Sequence, residues 1–181
     1  MRPYTEKFMI RAILQSNTGL DAQLHCMNRR IPAAIGANGV TLHKIEGDHA
    51  TPVGILPLRR VFYRADRVAA PVCRLPVEPL SPHDGWCDDP AESDYNQYVI
   101  LPHAGRHERL WRDDHVYDII VVLGYNDSPP VRGRGSAIFL HLPQTGGRPT
   151  EGCIAVPESD LRHLLEMGLS EIEVLPPGMT R

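Results

Sequence analysis

A histidine and a cysteine in the C-terminal third of the chain are the residues best suited to chemistry. His141 ends an apolar segment of strand character, and a loop rich in proline and glycine leads to Gly152 and Cys153. Neighbouring strands joined in this way can place an imidazole beside a thiol, so that the imidazole makes or stabilises the nucleophilic thiolate. The amides of Gly152 and Cys153 would then bind a developing oxyanion, worth about 3 kcal/mol per donor.

The same residues also allow a structural interpretation. Free cysteine is commonly buried as a small apolar residue, and a histidine on a strand can be held by neighbouring polar groups. The strand–loop–strand context of His141 and Cys153 therefore leaves two possibilities open, a catalytic pair or two core residues.

Two other pairs have the spacing of metal ligands but lie in unsuitable surroundings. His103 and His107 would share one face of a helix, yet the proline and the glycine beside them argue against a helix there. His83 and Cys87 have the same defect. We interpret the histidines as surface residues and predict no metal site.

The elements that must position these residues are predicted to be mainly strands. With 17 prolines and 15 glycines among 181 residues, the chain is broken into short segments. Alternation and β-branching predict an interrupted, edge or bulged strand at 54–63 and two buried central strands at 118–125 and 136–142. The remaining strand candidates cover residues 8–14, 22–27, 39–45 and 171–175.

One helix follows Cys153 in the predicted order of elements. Ser159 can cap its start, three leucines form an apolar stripe, and Gly168 stands where a C-terminal cap belongs. Residues 71–112 are rich in Pro, Asp, His and Gly and are predicted to form a long ordered loop region. The length predicts a single domain, residues 1–181.

The residues around Cys153 resemble the catalytic motif of the L,D-transpeptidase (YkuD-type) family. In that family a histidine at a strand end precedes a Ser/Thr-His-Gly-Cys-Ile-Arg sequence, and here the matching residues are His141 and the segment TEGCIA at 150–155. GANGVTLHKIEGDHATPVGILPL resembles the family's segment with a Lys-x-Glu-Gly-Asp…Thr-Pro-x-Gly sequence. GWCDDP, LWRDDHVYD and GRGSAIFLH resemble further segments of a compact single-domain branch, so the resemblance runs from about Gly36 to Leu165.

This resemblance implies a mostly β fold, similar to a β-sandwich or barrel, with a few short helices. It implies acyl transfer at the L,D peptide bond of a peptidoglycan tetrapeptide stem, with Cys153 as nucleophile and His141 as base and then acid. The terminal D-alanine leaves, and a backbone carbonyl in the loop after His141 is the expected orienting partner. Neither a metal nor an organic cofactor is required.

Two positions depart from the family motif. Glu151 stands where the family has histidine, Ala155 stands where it has arginine, and the loop after His141 is shorter than usual. An ionised Glu151 would either raise the pKa of the thiol or bind a cationic substrate group, such as the side-chain amine of a diamino acid. Both roles stay open, and Thr150 and Glu151 are candidate substrate contacts.

Further candidates for lining the cleft come from the family-like segments upstream. They are Trp86, Asp88, Arg112 and Asp113. The acidic residues among them also fit turn capping and salt bridges to Arg112, which is the more common use of such side chains.

Four functional interpretations follow. An amine acceptor would make the protein a transpeptidase, and water would make it an L,D-carboxypeptidase that trims muropeptides. Glu151 and Ala155 also allow a catalytically retired module that only binds peptidoglycan peptides. A structural or interaction domain is disfavoured, because scaffolding would not need both His141 and Cys153.

Composition limits the partners and the compartment. The net charge of −3 gives no basic surface that would suggest nucleic acid, and no apolar run is long enough to span a membrane. The N-terminal residues do not have the pattern of a secretory signal. We therefore expect a cytoplasmic protein, or a periplasmic one if a leader has been removed.

Overall fold

The computed structural model describes residues 9–16 and 21–180, and strands predominate in these ranges. Phe8, predicted as the first residue of a strand, lies outside them. The elements are β1 (Ile10–Ser16), β2 (Ala22–Cys26), β3 (Arg29–Ala33), β4 (Val40–Thr41), β5 (Thr51–Pro52), β6 (Gly54–Tyr63), β7 (Val77–Pro79), β8 (Asp84–Cys87), β9 (Tyr98–Ile100), β10 (His107–Arg109), β11 (Ile119–Leu123), β12 (Phe139–His141), β13 (Ile154–Ala155), α1 (Glu158–Met167) and β14 (Leu169–Val174).

The main sheet contains nine of the strands. Its order is β13-β12-β11-β6-β14-β1-β2-β3, and β7 pairs with β6 beside this path. A three-stranded sheet, β10-β8-β9, and the short pair β4-β5 complete the strand pairing of the described residues. The mostly β fold expected from the sequence is confirmed.

The two edges of the main sheet meet next to the segment predicted to carry catalysis. Ala34 and Ala155 exchange both backbone hydrogen bonds at 2.9 Å. Thr150 donates its amide to the carbonyl of Ile35 at 2.8 Å, and Ala37 donates to the carbonyl of Thr150 at 2.9 Å. These bonds nearly close the sheet into a barrel and satisfy edge groups that would otherwise be exposed.

The sequence of β11 is apolar throughout because both faces of this strand are buried. Its side chains alternate between two cores, with Ile119 and Val121 in the larger cluster and Ile120 and Val122 in the smaller, aromatic one. On β12 the same alternation places Leu140 in the larger cluster and Phe139 in the smaller one. His141, two residues after Phe139, lies on the same face of the strand as Phe139.

Strand β6 is bulged, as the sequence predicted, but it is not an edge strand. It lies between β11 and β14, and its register with β11 shifts where Leu123 pairs with Leu58 after Val122 has paired with Arg60. The proline within β6, Pro57, pairs with Glu171 of β14. The bulge accommodates an irregular strand inside the sheet.

The predicted helix is present, but its start differs. Pro157, with φ −54° and ψ 144°, precedes α1 in the cap position, and no side chain caps the helix. Ser159 lies inside the first turn, and Glu158 and Asp160 there complement the helix dipole instead. Gly168 ends the helix in the left-handed conformation, as expected. Only this one helix occurs in the described residues, where a few were expected.

Two segments differ from their sequence interpretation. Residues 71–112 contain four strands, β7 to β10, each too short to give a periodic signal. Within residues 39–45 only β4 is extended, because side-chain oxygens of Thr41 and Asp48 accept the amides of His43 and Ile45 and form turns.

No helix in the described ranges is long and apolar enough to cross a membrane.

Candidate active site

His141 and Cys153 line the same cavity, which has a volume of about 330 Å³. His141 is the last residue of β12, and Cys153 immediately precedes β13, which pairs with β12 in parallel. The cavity wall also carries four basic and four acidic side chains. They are Lys44, Arg106, Arg112, Arg148, Glu46, Asp88, Glu108 and Glu151.

The ring of His141 is held in one orientation. Its Nδ1 lies 2.7 Å from the carbonyl oxygen of Leu142, so the Nδ1–H donates to the backbone and Nε2 stays available as a base. This is the backbone partner that the sequence predicted. The ring of Tyr117 packs edge-on against the imidazole, with 5.3 Å between the centroids. His141 is 4% exposed, which leaves it little room to rotate.

The thiol of Cys153 is buried in the smaller, aromatic core. The Sγ–H donates to the carbonyl of Ala137 at 3.2 Å, and Sγ accepts the amide of Phe139 at 3.3 Å. Burial raises the pKa of this thiol to about 12, and the negative charges of Glu108 and Glu151 contribute to the rise. The resting sulfur is therefore protonated at neutral pH.

The pKa of His141 moves in the opposite direction. Burial lowers the pKa of this imidazole to about 4, although the hydrogen bond to Leu142 opposes the change. Both members of the pair are therefore uncharged at neutral pH. A neutral imidazole can accept the thiol proton when a substrate carbonyl is attacked, so the pair fits general-base activation better than a preformed ion pair.

The turn before Cys153 is fixed by Thr150. Its hydroxyl donates to the carbonyl of Cys153 at 2.7 Å and accepts the amide of Gly152 at 3.2 Å. Gly152 has φ 134°, and a Cβ there would lie 3.0 Å from the carbonyl oxygen of Ala50, so only glycine fits well. The sequence predicted the amides of both Gly152 and Cys153 as oxyanion donors. The Gly152 amide is already bonded to the Thr150 hydroxyl, so the amide of Cys153 is the better candidate.

The carbonyl that accepts the hydrogen bond from the Cys153 thiol belongs to Ala137, whose backbone is strained. Ala137 has φ 52°, and its amide donates to Oδ1 of Asn96 at 3.1 Å. The same Oδ1 accepts the indole N–H of Trp86 at 3.0 Å, while Nδ2 of Asn96 donates to the carbonyls of Tyr125 and Asn126. This left-handed residue also explains why the predicted strand at 136–142 begins only at 139.

The candidate cleft residues from the sequence divide into two groups. Glu151, Asp88 and Arg112 line the cavity, as does Thr150, although the hydroxyl of Thr150 is used within the turn. Trp86 and Asp113 are not part of the cavity wall. The indole of Trp86 packs edge-on against Phe139, at 5.2 Å between centroids, and supports β12 from behind. Asp113 is exposed, and its carbonyl accepts a guanidinium N–H of Arg67.

Several cavity residues were not recognised in the sequence. Lys44 and Glu46 lie in the Lys-x-Glu-Gly-Asp segment, which could have indicated them. Nζ of Lys44 bonds Asp48 at 2.5 Å, and Glu46 accepts the hydroxyls of Tyr95 and Ser136. Glu108 lies within residues 71–112, which the sequence predicts as loop. Tyr117 lies in the family-like segment LWRDDHVYD, where only Arg112 and Asp113 were candidates.

Among the described residues, no three His, Cys, Asp or Glu side chains are grouped so that they could hold a metal ion. His103 bonds Asp94 through Nε2, and Nδ1 of His107 bonds the carbonyl of Gly105. These contacts account for the two histidines that had the spacing of metal ligands.

A nearly closed β-sheet that brings a cysteine and a histidine to one polar cavity has the groups that thiol-dependent acyl transfer requires. The sequence model of the L,D-transpeptidase catalytic domain, YkuD, matches residues 25–178. This match spans most of the chain, so the protein belongs to the L,D-transpeptidase catalytic domain family. Comparisons with curated proteins and with solved structures gave no match.

Proposed function

We propose that this protein is an enzyme that cleaves the L,D peptide bond of a peptidoglycan tetrapeptide stem through an acyl-enzyme at Cys153. The observation that best supports this proposal is that Cys153 and His141 line one polar cavity in a chain of this family. The sulfur attacks the carbonyl carbon of the third stem residue while His141 takes the thiol proton. The C–N bond then breaks, D-alanine leaves with that proton, and a thioester to Cys153 stays behind.

The uncharged resting pair supports this sequence of proton transfers. Since the Nδ1–H of His141 is committed to Leu142, the proton must arrive at Nε2 and depart from it. A protonated His141 is unfavourable in its buried position, so it gives the proton readily to the leaving amine. The low pKa makes His141 a weak base in the resting site and a strong acid once it is protonated, which suits its second task.

The charges of the cavity support a zwitterionic substrate. Lys44, Arg106 and Arg112 are each paired with an aspartate of the chain. Arg148 and Glu151, in contrast, have no ion-pair partner within residues 9–16 and 21–180. We propose that Glu151 binds the side-chain amine of a diamino acid in the stem and that Arg148 binds a substrate carboxylate.

The acceptor of the acyl group defines two versions of this function. Attack by water would release a tripeptide, as in an L,D-carboxypeptidase, and attack by an amine would form a cross-link, as in a transpeptidase. Action on soluble muropeptides in the cytoplasm stays a prediction, which fractionation of the source cells would test.

Incubation with a disaccharide tetrapeptide, followed by mass spectrometry, tests the proposal. We expect D-alanine release from the unaltered protein and from Cys73→Ala, a control that removes a partly exposed cysteine outside the cavity. Cys153→Ala should release none. A tripeptide product would identify hydrolysis, and a dimer would identify transfer.

Absence of turnover and of an acyl adduct would contradict the enzyme proposal if the protein is folded. Binding of the tetrapeptide without turnover would then favour a retired binding module. Unchanged turnover in Cys153→Ala would exclude the cysteine as nucleophile.

A further inference from the structure

A partly buried carboxylate lies in the cavity without a role in the proton transfers between Cys153 and His141. Glu108 is the central residue of β10, opposite Trp86 of β8, and its side chain forms part of the cavity wall. Its Oε1 accepts the hydroxyl of Tyr117 at 2.5 Å. Removing a carboxylate from water is costly even in part, and the hydrogen bond from Tyr117 offsets some of that cost.

Tyr117 connects this carboxylate to the catalytic pair. Its ring packs against His141 at 5.3 Å and against Phe139, whose amide donates to the sulfur of Cys153, at 6.1 Å. The guanidinium of Arg112 lies over the same ring, with its Cζ 5.1 Å from the centroid. With 5% exposure, Tyr117 is enclosed by these contacts, and the bond to Glu108 fixes its remaining polar atom.

We propose that Glu108 is a positioning residue, which holds Tyr117 against His141 and places a carboxylate in the same cavity as the Cys153 thiol. The inference rests on the proposed function, because it assigns a role in the same site. It predicts two separable effects of Glu108, one on the geometry of the imidazole and one on the proton of the thiol.

The charge effect follows from the groups that face Glu108. Tyr117 and Arg112 favour its ionised form, whereas Asp88 and Glu151 oppose it. Burial outweighs the favourable contacts and raises the pKa of Glu108 to about 7. Its charge is therefore present in part at neutral pH, and that charge is the largest cause after burial for the raised pKa of the Cys153 thiol.

Glu108→Gln keeps the size of the side chain and removes its charge. We expect the pH dependence of Cys153 alkylation by iodoacetamide to move down by about half a pH unit, or about threefold in rate at a fixed pH above 8. The matched control is Glu166→Gln, which removes a charge from the exposed side of α1 and should not move the profile. Because Glu108 loses its charge below its pKa of about 7, a charge effect should disappear there, whereas looser packing would raise the alkylation rate at every pH.

Tyr117→Phe tests the geometric effect. The ring that packs on His141 is kept, and only the bond to Glu108 is lost. We expect kcat for D-alanine release to fall about tenfold, as for loss of one charge-assisted hydrogen bond, with KM unchanged. The measurement remains available if Glu108→Gln does not fold.

The alkylation profile does not require turnover, so it separates this inference from the proposed function. An unmoved profile in folded Glu108→Gln would overturn the effect of charge on the thiol. Unchanged kcat in Tyr117→Phe would overturn the role through Tyr117. If no variant and no wild-type protein releases D-alanine, a shifted profile would still support the charge effect while the proposed function fails.

Discussion

The resting thiol of Cys153 should react slowly with alkylating reagents. Its pKa is raised by burial from the ordinary 9.0 to about 12. At pH 7 the thiolate fraction is then ~10⁻⁵, compared with ~10⁻² for the ordinary thiol, so alkylation should be about a thousandfold slower. Cys153 is only 7% exposed, so limited access of the reagent to its side chain would slow the reaction further.

Peptide-resolved mass spectrometry after treatment with iodoacetamide measures this rate. Cys73 serves as an internal reference, because it is partly exposed and lies outside the cavity. The dependence on pH distinguishes ionisation from access. If ionisation limits the reaction, the logarithm of the Cys153 rate should rise by about one per pH unit from pH 7 to pH 10 without a plateau.

Rapid alkylation of Cys153 at pH 7, or a plateau below pH 9, would refute this reasoning. Either result would mean that the resting protein stabilises the thiolate, as an ion pair with His141 would. The neutral pair inferred from burial would then be wrong, and the imidazole would have to be protonated before the substrate binds.

The other predictions concern the turn and the loop that frame the thiol. Gly152→Ala should lower the free energy of unfolding by about 1–3 kcal/mol, since φ 134° is strained for alanine and the Cβ would crowd the carbonyl of Ala50. Thr150→Val keeps the shape but loses hydrogen bonds to the backbone of Gly152 and Cys153, and should cost about 2 kcal/mol. Asp48→Asn should cost about 2 kcal/mol at pH 7. Burial opposes ionisation of Asp48, but bonds from two amides and a lysine outweigh it and lower its pKa.

Denaturant unfolding measures all three changes. The lowered pKa of Asp48 means that its ionised form stabilises the folded state above the unfolded pKa of about 4, and that this contribution is lost as pH falls through the lower folded value. The difference between Asp48→Asn and the unaltered protein should therefore shrink below about pH 4. A difference that persists at pH 2 would show that it does not come from ionisation of Asp48. Unchanged stability of Gly152→Ala would show that the backbone at this position is not strained for alanine.

The sequence could predict the elements that depend on local pattern. The apolar run at β11, the C-terminal cap at Gly168 and the pairing of a strand-end histidine with a Gly-Cys turn are all visible without a structure. The helix start that the sequence predicts at Ser159 is wrong, because Pro157 occupies the cap position and the helix begins at Glu158. These features involve residues that are neighbours along the chain.

The sequence could not predict contacts that depend on distant segments. The side chain of Asn96 accepts the amide of Ala137, 41 positions along the chain. The carboxylate of Glu46 accepts the hydroxyl of Ser136, 90 positions along the chain. Trp86 was expected in the cleft because its segment resembles the family, yet its side chain supports the site from the core. A reactive thiol would ordinarily distinguish a cysteine-dependent enzyme from a module that only binds peptides. Burial of Cys153 removes that distinction in the resting protein, so turnover must decide.

The closure of the sheet makes the setting of Cys153 dependent on complete folding. The bonds that join Ala34 to Ala155 and Ile35 to Thr150 connect segments more than a hundred residues apart, and such non-local pairings carry an entropic cost of loop closure. The turn that presents Cys153 is anchored by these pairings. A partly folded or nicked chain would therefore keep the thiol but lose the turn that presents it to the cavity.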